Sequence, residues 1–152
     1  MNTNTIQSIS EGTAQTATPT TKISVVLRDD LKSWQALNVT AFLVSGIAAT
    51  VPGSVGLPYL DGSDISYLPM FGQPVMIFAA EKSTISHVLR RALDREVTPA
   101  LYTEELFATG NDVDNRAAVR AVQHEALNVV GLAFRCDRKV ADKILKGLTL
   151  HP

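Results

Sequence analysis

The chain has 152 residues, 45% of them apolar and 19% charged, with a formal net charge of −1. That length supports one domain with a real core and is too short for two ordinary ones. A near-neutral chain without a cationic block carries no large electrostatic footprint, so extensive nucleic-acid binding is not expected. Cys136 is the single cysteine, which excludes an internal disulfide and a CxxC knuckle. The three histidines (His87, His124 and His151) stand far apart without HExxH spacing, so neither a metal nor a cofactor is expected.

Residues 1–21 are rich in Thr, Ser, Asn and Gln and carry one charge, Glu11. Such a segment buries too little apolar surface to offset its ordering entropy, so it reads as a flexible tail before a single α/β domain at 22–152. No basic stretch followed by an apolar one opens the chain, and no secretory signal is expected. The longest apolar run, Ala41–Val51, contains Ser45, Gly46 and Thr50 and is too short to span a bilayer. A cytoplasmic protein without membrane contact is the expectation.

Ile23–Leu27 is short, β-branched and almost wholly apolar, as suits a central strand covered on both faces. Arg28-Asp29-Asp30 ends it. From Trp34 to Ala49 apolar residues recur at helical spacing, predicting a helix packed on the sheet with Ser33 as N-cap. Asn38 and Thr40 are polar exceptions near its start. Glycines and prolines crowd residues 52–72, a long loop with room for a short hairpin. Pro74–Ala79 is a second strand, and Lys82–Arg95 an amphipathic helix with Arg90, Arg91 and Arg95 outside. Thr98–Tyr102 is a third strand and residues 103–111 a strand-end loop. A short helix over Asp114–Val122, a fourth strand over Asn128–Phe134 and a helix over Arg138–Gly147 complete the chain. The last helix turns Val140, Ile144 and Leu148 inward. This alternation implies a three-layer α/β/α sandwich.

Two stretches carry a resemblance. Lys22-Ile-Ser-Val-Val-Leu-Arg28-x-Asp30-Leu31 before a long apolar helix resembles the opening of type 2 peptidyl-tRNA hydrolases. Asn128-Val-Val-Gly-Leu-Ala-Phe, then Val140-Ala-Asp142-Lys143-x-x-x-Gly147-Leu-x-Leu150, resembles how that family ends. Closer still, Arg28-Asp-Asp-Leu-Lys-x-Trp34-Gln-Ala-Leu-Asn38-Val-Thr40-Ala and Tyr102-Thr-Glu-Glu-Leu-Phe-Ala-Thr109-Gly-Asn-Asp112 resemble an uncharacterised bacterial family of that fold. The resemblance covers most of 22–150, with an insertion at 52–72. It implies a four-stranded mixed sheet with the last strand antiparallel, and a homodimer. Where the hydrolases carry a Gly-Lys-Gly-Lys run with a catalytic lysine, this chain has Trp34-Gln35-Ala36-Leu37. Glu104 stands for the hydrolases' site Asp. Thr109 stands for a site Thr after a one-residue shift, and Asn128 is nearest to another.

The candidate site therefore joins catalytic Glu104 and Thr109 with ligand-binding Arg28, Asp30, Asn38 and Asn111. Arg28 oriented by Asp30 is either a clamp for phosphate or carboxylate, or an ion pair at a helix start. Asn38 is expected to face a crevice, whereas Thr40 either joins it or bonds back one turn. Glu104, if its pKa is raised by burial, would serve as a general base. Thr109 and Asn111 present polar groups to a ligand or help start a helix, with Asp112 as the expected N-cap. Trp34 and Phe107 either line an apolar pocket wall or, as aromatic residues at such positions more often do, belong to the core. Cys136 lacks the basic or positive neighbour that activates a thiol.

Three functions compete. The first is small-molecule or nucleotide-derivative binding at the C-terminal ends of the first and third strands. The second is hydrolysis of an ester or amide with Glu104 as base, and the third a non-catalytic homodimeric interaction protein. A shared site requires Arg28 and Glu104 within about 12 Å of each other, the span of a small ligand.

Overall fold

Strand β1, Thr21–Arg28, lies at the centre of a five-stranded mixed sheet in the computed structural model, which describes residues 18–152. Its side chains alternate between two cores. Val25 and Leu27 point to one, and Val26 to the other. Strand β4, Val75–Ala80, runs parallel beside it, with Ile23 opposite Val75 and Arg28 opposite Ala80. Strand β6, Val129–Asp137, pairs antiparallel on the other side and carries β5, Ala100–Thr103, on its outer edge. β5 is thus parallel to β1, and with β7, Thr149–Leu150, the sheet order is β5-β6-β1-β4-β7.

The fifth strand was not expected. β7 is only Thr149–Leu150, paired with Ala79 and Phe78, and two residues are too few to show a strand period. Near its N-terminal side, the tail reading lies mostly outside the described residues. Where the chain is described, the Thr20 carbonyl accepts from the Arg138 N–H at 2.9 Å and Thr21 already belongs to β1.

Helix α1, Ser33–Thr50, covers one face of the sheet through Val39, Leu43 and Ile47. Helices α2, Lys82–Leu93, and α4, Arg138–Ile144, cover the other, packing Ile85, Val88, Ala141 and Ile144 around Phe134. Helices on both faces make three layers. Arg91 is half-buried rather than outside: it donates to the carbonyls of Ile144 and Lys146 and caps the end of α4. Lys32, not Ser33, is the N-cap of α1, and its N–H donates to the Gln35 side-chain oxygen at 3.0 Å. α1 rides unusually close to β6. A Cβ built on Gly131 would lie 2.6 Å from Val39 Cγ1 and 3.0 Å from Leu43 Cδ1, so only glycine admits this approach.

Helix α3, Asp112–Arg120, starts two residues earlier than its spacing predicts. Between α1 and β4, the 52–72 segment forms a hairpin of β2, Tyr59–Leu60, and β3, Ser66–Tyr67. No helix among the described residues is long and apolar enough to cross a membrane.

Candidate functional site

The connection from β1 runs to β4 on one side, whereas the chain reaches β5 on the other side of β6, so the ends of β1 and β5 flank a topological switch point. Open α/β sheets bind ligands at such places. Three polar side chains converge there: Arg28 from the end of β1, Glu104 from the turn after β5, and Asn128 from just before β6. The Arg28 guanidinium, on a residue 6% exposed, donates to Glu104 Oε2 at 3.1 Å and to Asn128 Oδ1 at 3.2 Å. Its Nε donates to Asp30 at 2.5 Å. Asn128 closes the ring by donating its amide to Glu104 Oε2 at 2.7 Å, while its backbone carbonyl accepts from the Glu104 N–H. The β5–β6 pair slips register between Tyr102 and Thr103, next to Glu104 and Asn128. Burial works against the charge on Arg28, but Asp30 and Glu104 more than offset it and raise its pKa. Conversely, the hydrogen bond from Arg28 pulls the Glu104 carboxyl below its usual range.

Beside this ring, and not including it, an open crevice runs between α1, the end of β5 and the start of α3. Trp34, Asn38 and Phe42 form its α1 wall. Tyr102, Phe107, Thr109 and Asn115 face them across a hollow of about 320 Å³. Trp34 meets Phe107 edge-to-face at 5.8 Å, and Phe107 packs on Tyr102 at 5.1 Å. Past Phe42 and Tyr102 the crevice continues into an apolar groove of about 680 Å³ along β5, with Arg116 and Arg120 on its rim.

The chain as a whole has counterparts among known proteins. A family model described as a protein of unknown function, DUF2000, matches residues 21–152. The chain belongs to the DUF2000 family. A solved structure of a protein of unknown function, Atu0240 from Agrobacterium tumefaciens strain C58, is similar to it at 46% identity with a TM-score of 0.87. That likeness covers 89% of this chain and all of the other. No curated protein matches.

Within this DUF2000 chain the predicted residues fall into two groups rather than one. Arg28, Asp30 and Glu104 share the ring, well inside the expected separation, and Asn128 completes it. Asn38, Thr109 and Asn111 line the crevice. Glu104 carries a lowered pKa, opposite to the raised value that a base would use. Thr109 donates its hydroxyl to the Leu106 carbonyl, 2.8 Å away, and its oxygen lies against the side-chain amide of Asn115. Asn111 is the N-cap of α3 in place of Asp112: its Oδ1 accepts from the Asp114 N–H at 2.9 Å. Thr40 bonds back to the Ala36 carbonyl at 2.8 Å.

Asn38 is exposed on the crevice wall, and neither end of its amide has a partner among the described residues. Trp34 is 57% exposed rather than buried in the core, while Phe107 is half-buried against it. Tyr102, Phe42 and Asn115 were not singled out by sequence. Each lies in a run whose period serves packing, and only the third dimension shows that they share a wall. Burial pushes the Cys136 thiol up to about 11, consistent with an inert side chain.

Proposed function

We propose that this protein binds a small molecule with a flat, hydrogen-bonding ring, of the nucleobase or nucleotide type, in the crevice between α1 and α3. The observation that carries the reading is the Asn38 amide, free at both ends among the described residues, facing a wall of Trp34, Phe107 and Tyr102. Aromatic surfaces accept a ring face or edge, and an amide reads a donor–acceptor edge. Asn115 also lines this hollow, with its side-chain amide against Thr109. An anionic group on the ligand finds Arg120 on the groove rim, five residues and about 7.5 Å along α3 from Asn115. The two hollows together have the size and the mostly apolar lining of small-molecule sites.

The alternative, an ester or amide hydrolase on a peptidyl-tRNA hydrolase II-like scaffold, has the mixed sheet and the strand-end position of Glu104 in its favour. Against it, Glu104 lies outside the crevice lining and its carboxylate already accepts from Arg28 and Asn128. Binding is therefore the reading adopted.

Trp34 is the only tryptophan in the sequence, so its fluorescence reports on the crevice directly. Titration with nucleosides and nucleoside monophosphates is expected to change that emission saturably and to raise the melting temperature, since a ligand that binds the native state stabilises it by mass action. No change in either signal across the set would overturn the reading.

A further inference from the structure

We propose that the hairpin projecting between α1 and β4 is an arm through which two copies of this chain clasp each other as a two-fold dimer. The inference does not depend on the crevice. It starts from an inverted exposure pattern. Leu57, Leu60 and Leu68 are 85%, 65% and 86% exposed, and Tyr59, Ile65, Tyr67 and Met70 are exposed as well. With about 200 Å² for a large side chain in water, these seven present on the order of 900 Å² of mostly apolar surface. A typical monomer shows a largest apolar patch of roughly 300–600 Å². A stable complex of standard size buries about 800 Å² on each partner. Because these side chains lie on both faces of the hairpin, the arm offers one half of such an interface to a partner that clasps both faces.

The arm is built to stand in water without folding back. Val55 pairs with Phe71 at its root, and the same register continues through Tyr59–Tyr67 and Leu60–Ser66. At the tip the Asp61 carboxylate accepts from the Ser63 and Ile65 N–H groups at 2.8 and 3.1 Å, and from the Tyr67 hydroxyl at 3.0 Å. Asp64 takes the left-handed φ of 61° that closes the turn. A two-stranded hairpin is marginal in isolation, so this local fastening keeps the arm ready for a partner. Strand alternation puts Tyr59 and Tyr67 on one face and Leu60 on the other, so both faces are apolar and one surface of its own body could not cover them. Pro58 and Pro69 interrupt the two strands and blunt their edges, which favours contact through side chains over open-ended strand pairing.

A second copy fits this arm on charge as well. Between Val55 and Phe71 the only charged residues are Asp61 and Asp64, both at the tip. At the root Gln73 accepts from Arg135 at 3.2 Å, beside a hollow lined by Arg138 and by Lys22, which is itself paired with Asp142, so among the described residues there the two arginines carry the free positive charge. A two-fold axis presents the same patch on both partners. Arms laid antiparallel across it bring each acidic tip to the other chain's basic root, some 20 Å from the tip at strand spacing.

Sedimentation equilibrium on the full chain tests the proposal. The wild type is expected at the dimer mass at micromolar concentration. The variant Leu57→Ser, Leu60→Ser, Leu68→Ser is expected at the monomer mass with an unchanged circular dichroism spectrum. Should that variant fail to fold, hydrogen exchange of wild-type amides 57–68 is expected to slow as protein concentration rises. A monomeric wild type, a variant that stays dimeric, or exchange independent of concentration would each overturn the dimer. So would a monomeric wild type that co-sediments with anionic phospholipid vesicles, which would assign the arm to a membrane surface.

Discussion

The ring around Arg28 and the crevice beside it are built from the same kinds of residue, yet they are opposites. In the ring, guanidinium, carboxylate and amide groups answer one another. Arg28 donates to Asp30, Glu104 and Asn128, and Asn128 donates back to Glu104. In the crevice, the Asn38 amide has no partner among the described residues. Polar groups that satisfy each other hold a fold together, whereas polar groups held open on a wall are available to a ligand. The contrast also shows that strand-end position is not enough to make a site. At the switch point, where a ligand usually sits, Arg28 is already paired with the half-exposed carboxylates of Asp30 and Glu104, and the open crevice lies beside them.

Gly131 belongs to neither region but lies beneath α1, one wall of the crevice, and its substitution should produce the largest effect. The Gly131→Ala Cβ would meet Val39 and Leu43, pushing α1 away from β6. Overpacking of this kind costs about 1–3 kcal/mol. Because α1 also carries Trp34 and Asn38, the same variant should lose both stability and ligand response. Urea unfolding measures the first, with an unchanged m-value, and tryptophan titration the second. A variant as stable as the wild type would mean that α1 and β6 have slack the close approach does not suggest.

Glu104→Ala should separate the two regions. It leaves the Arg28 guanidinium, in a side chain 7% exposed, short of an acceptor, and is expected to lower stability by about 1–2 kcal/mol. Ligand response should persist, because Glu104 is not in the crevice lining. Its pH dependence has a definite sign. The folded-state pKa of Glu104 is below the unfolded one, so its contribution is present at neutral pH and fades as pH falls through the carboxylate range. Unfolding free energy measured against pH should accordingly drop less steeply on the acid side in Glu104→Gln than in the wild type. An acid limb of the same slope would show that Glu104 is not engaged by Arg28 in solution.

Much of the sheet could be read from sequence because its strands are buried on both faces. Ile23–Leu27 and Asn128–Phe134 are apolar runs with nowhere else to go, and α2 has a clean helical stripe. What escaped was set by particular contacts rather than by a period. β7 exists only because Thr149 and Leu150 meet β4, and the N-cap of α1 moved to Lys32 through the Gln35 side chain. The site was legible residue by residue but not as a grouping. Arg28 and Glu104, 76 positions apart, were placed together from strand ends, whereas the division between ring and crevice depends on which way α1 turns Asn38. The apolar character of α1 all round concealed that Trp34 and Phe42 face outward.

The smallest expected change in stability is also the most direct test of the contrast. Asn38 is exposed, sits in the first half of α1 and has no hydrogen-bond partner among the described residues. Asn→Ala there removes a residue of poorer helix propensity and breaks no contact, so stability should stay within about 0.5 kcal/mol of the wild type or rise slightly. If the crevice is where a ligand's edge is read, the same substitution should weaken the fluorescence response by roughly tenfold, the effect of losing a hydrogen bond worth about 1.4 kcal/mol. An Asn38→Ala protein that binds as the wild type does would remove the amide from the site and leave only its aromatic wall. One that loses stability instead would place Asn38 with the residues of the ring, as part of what holds the fold.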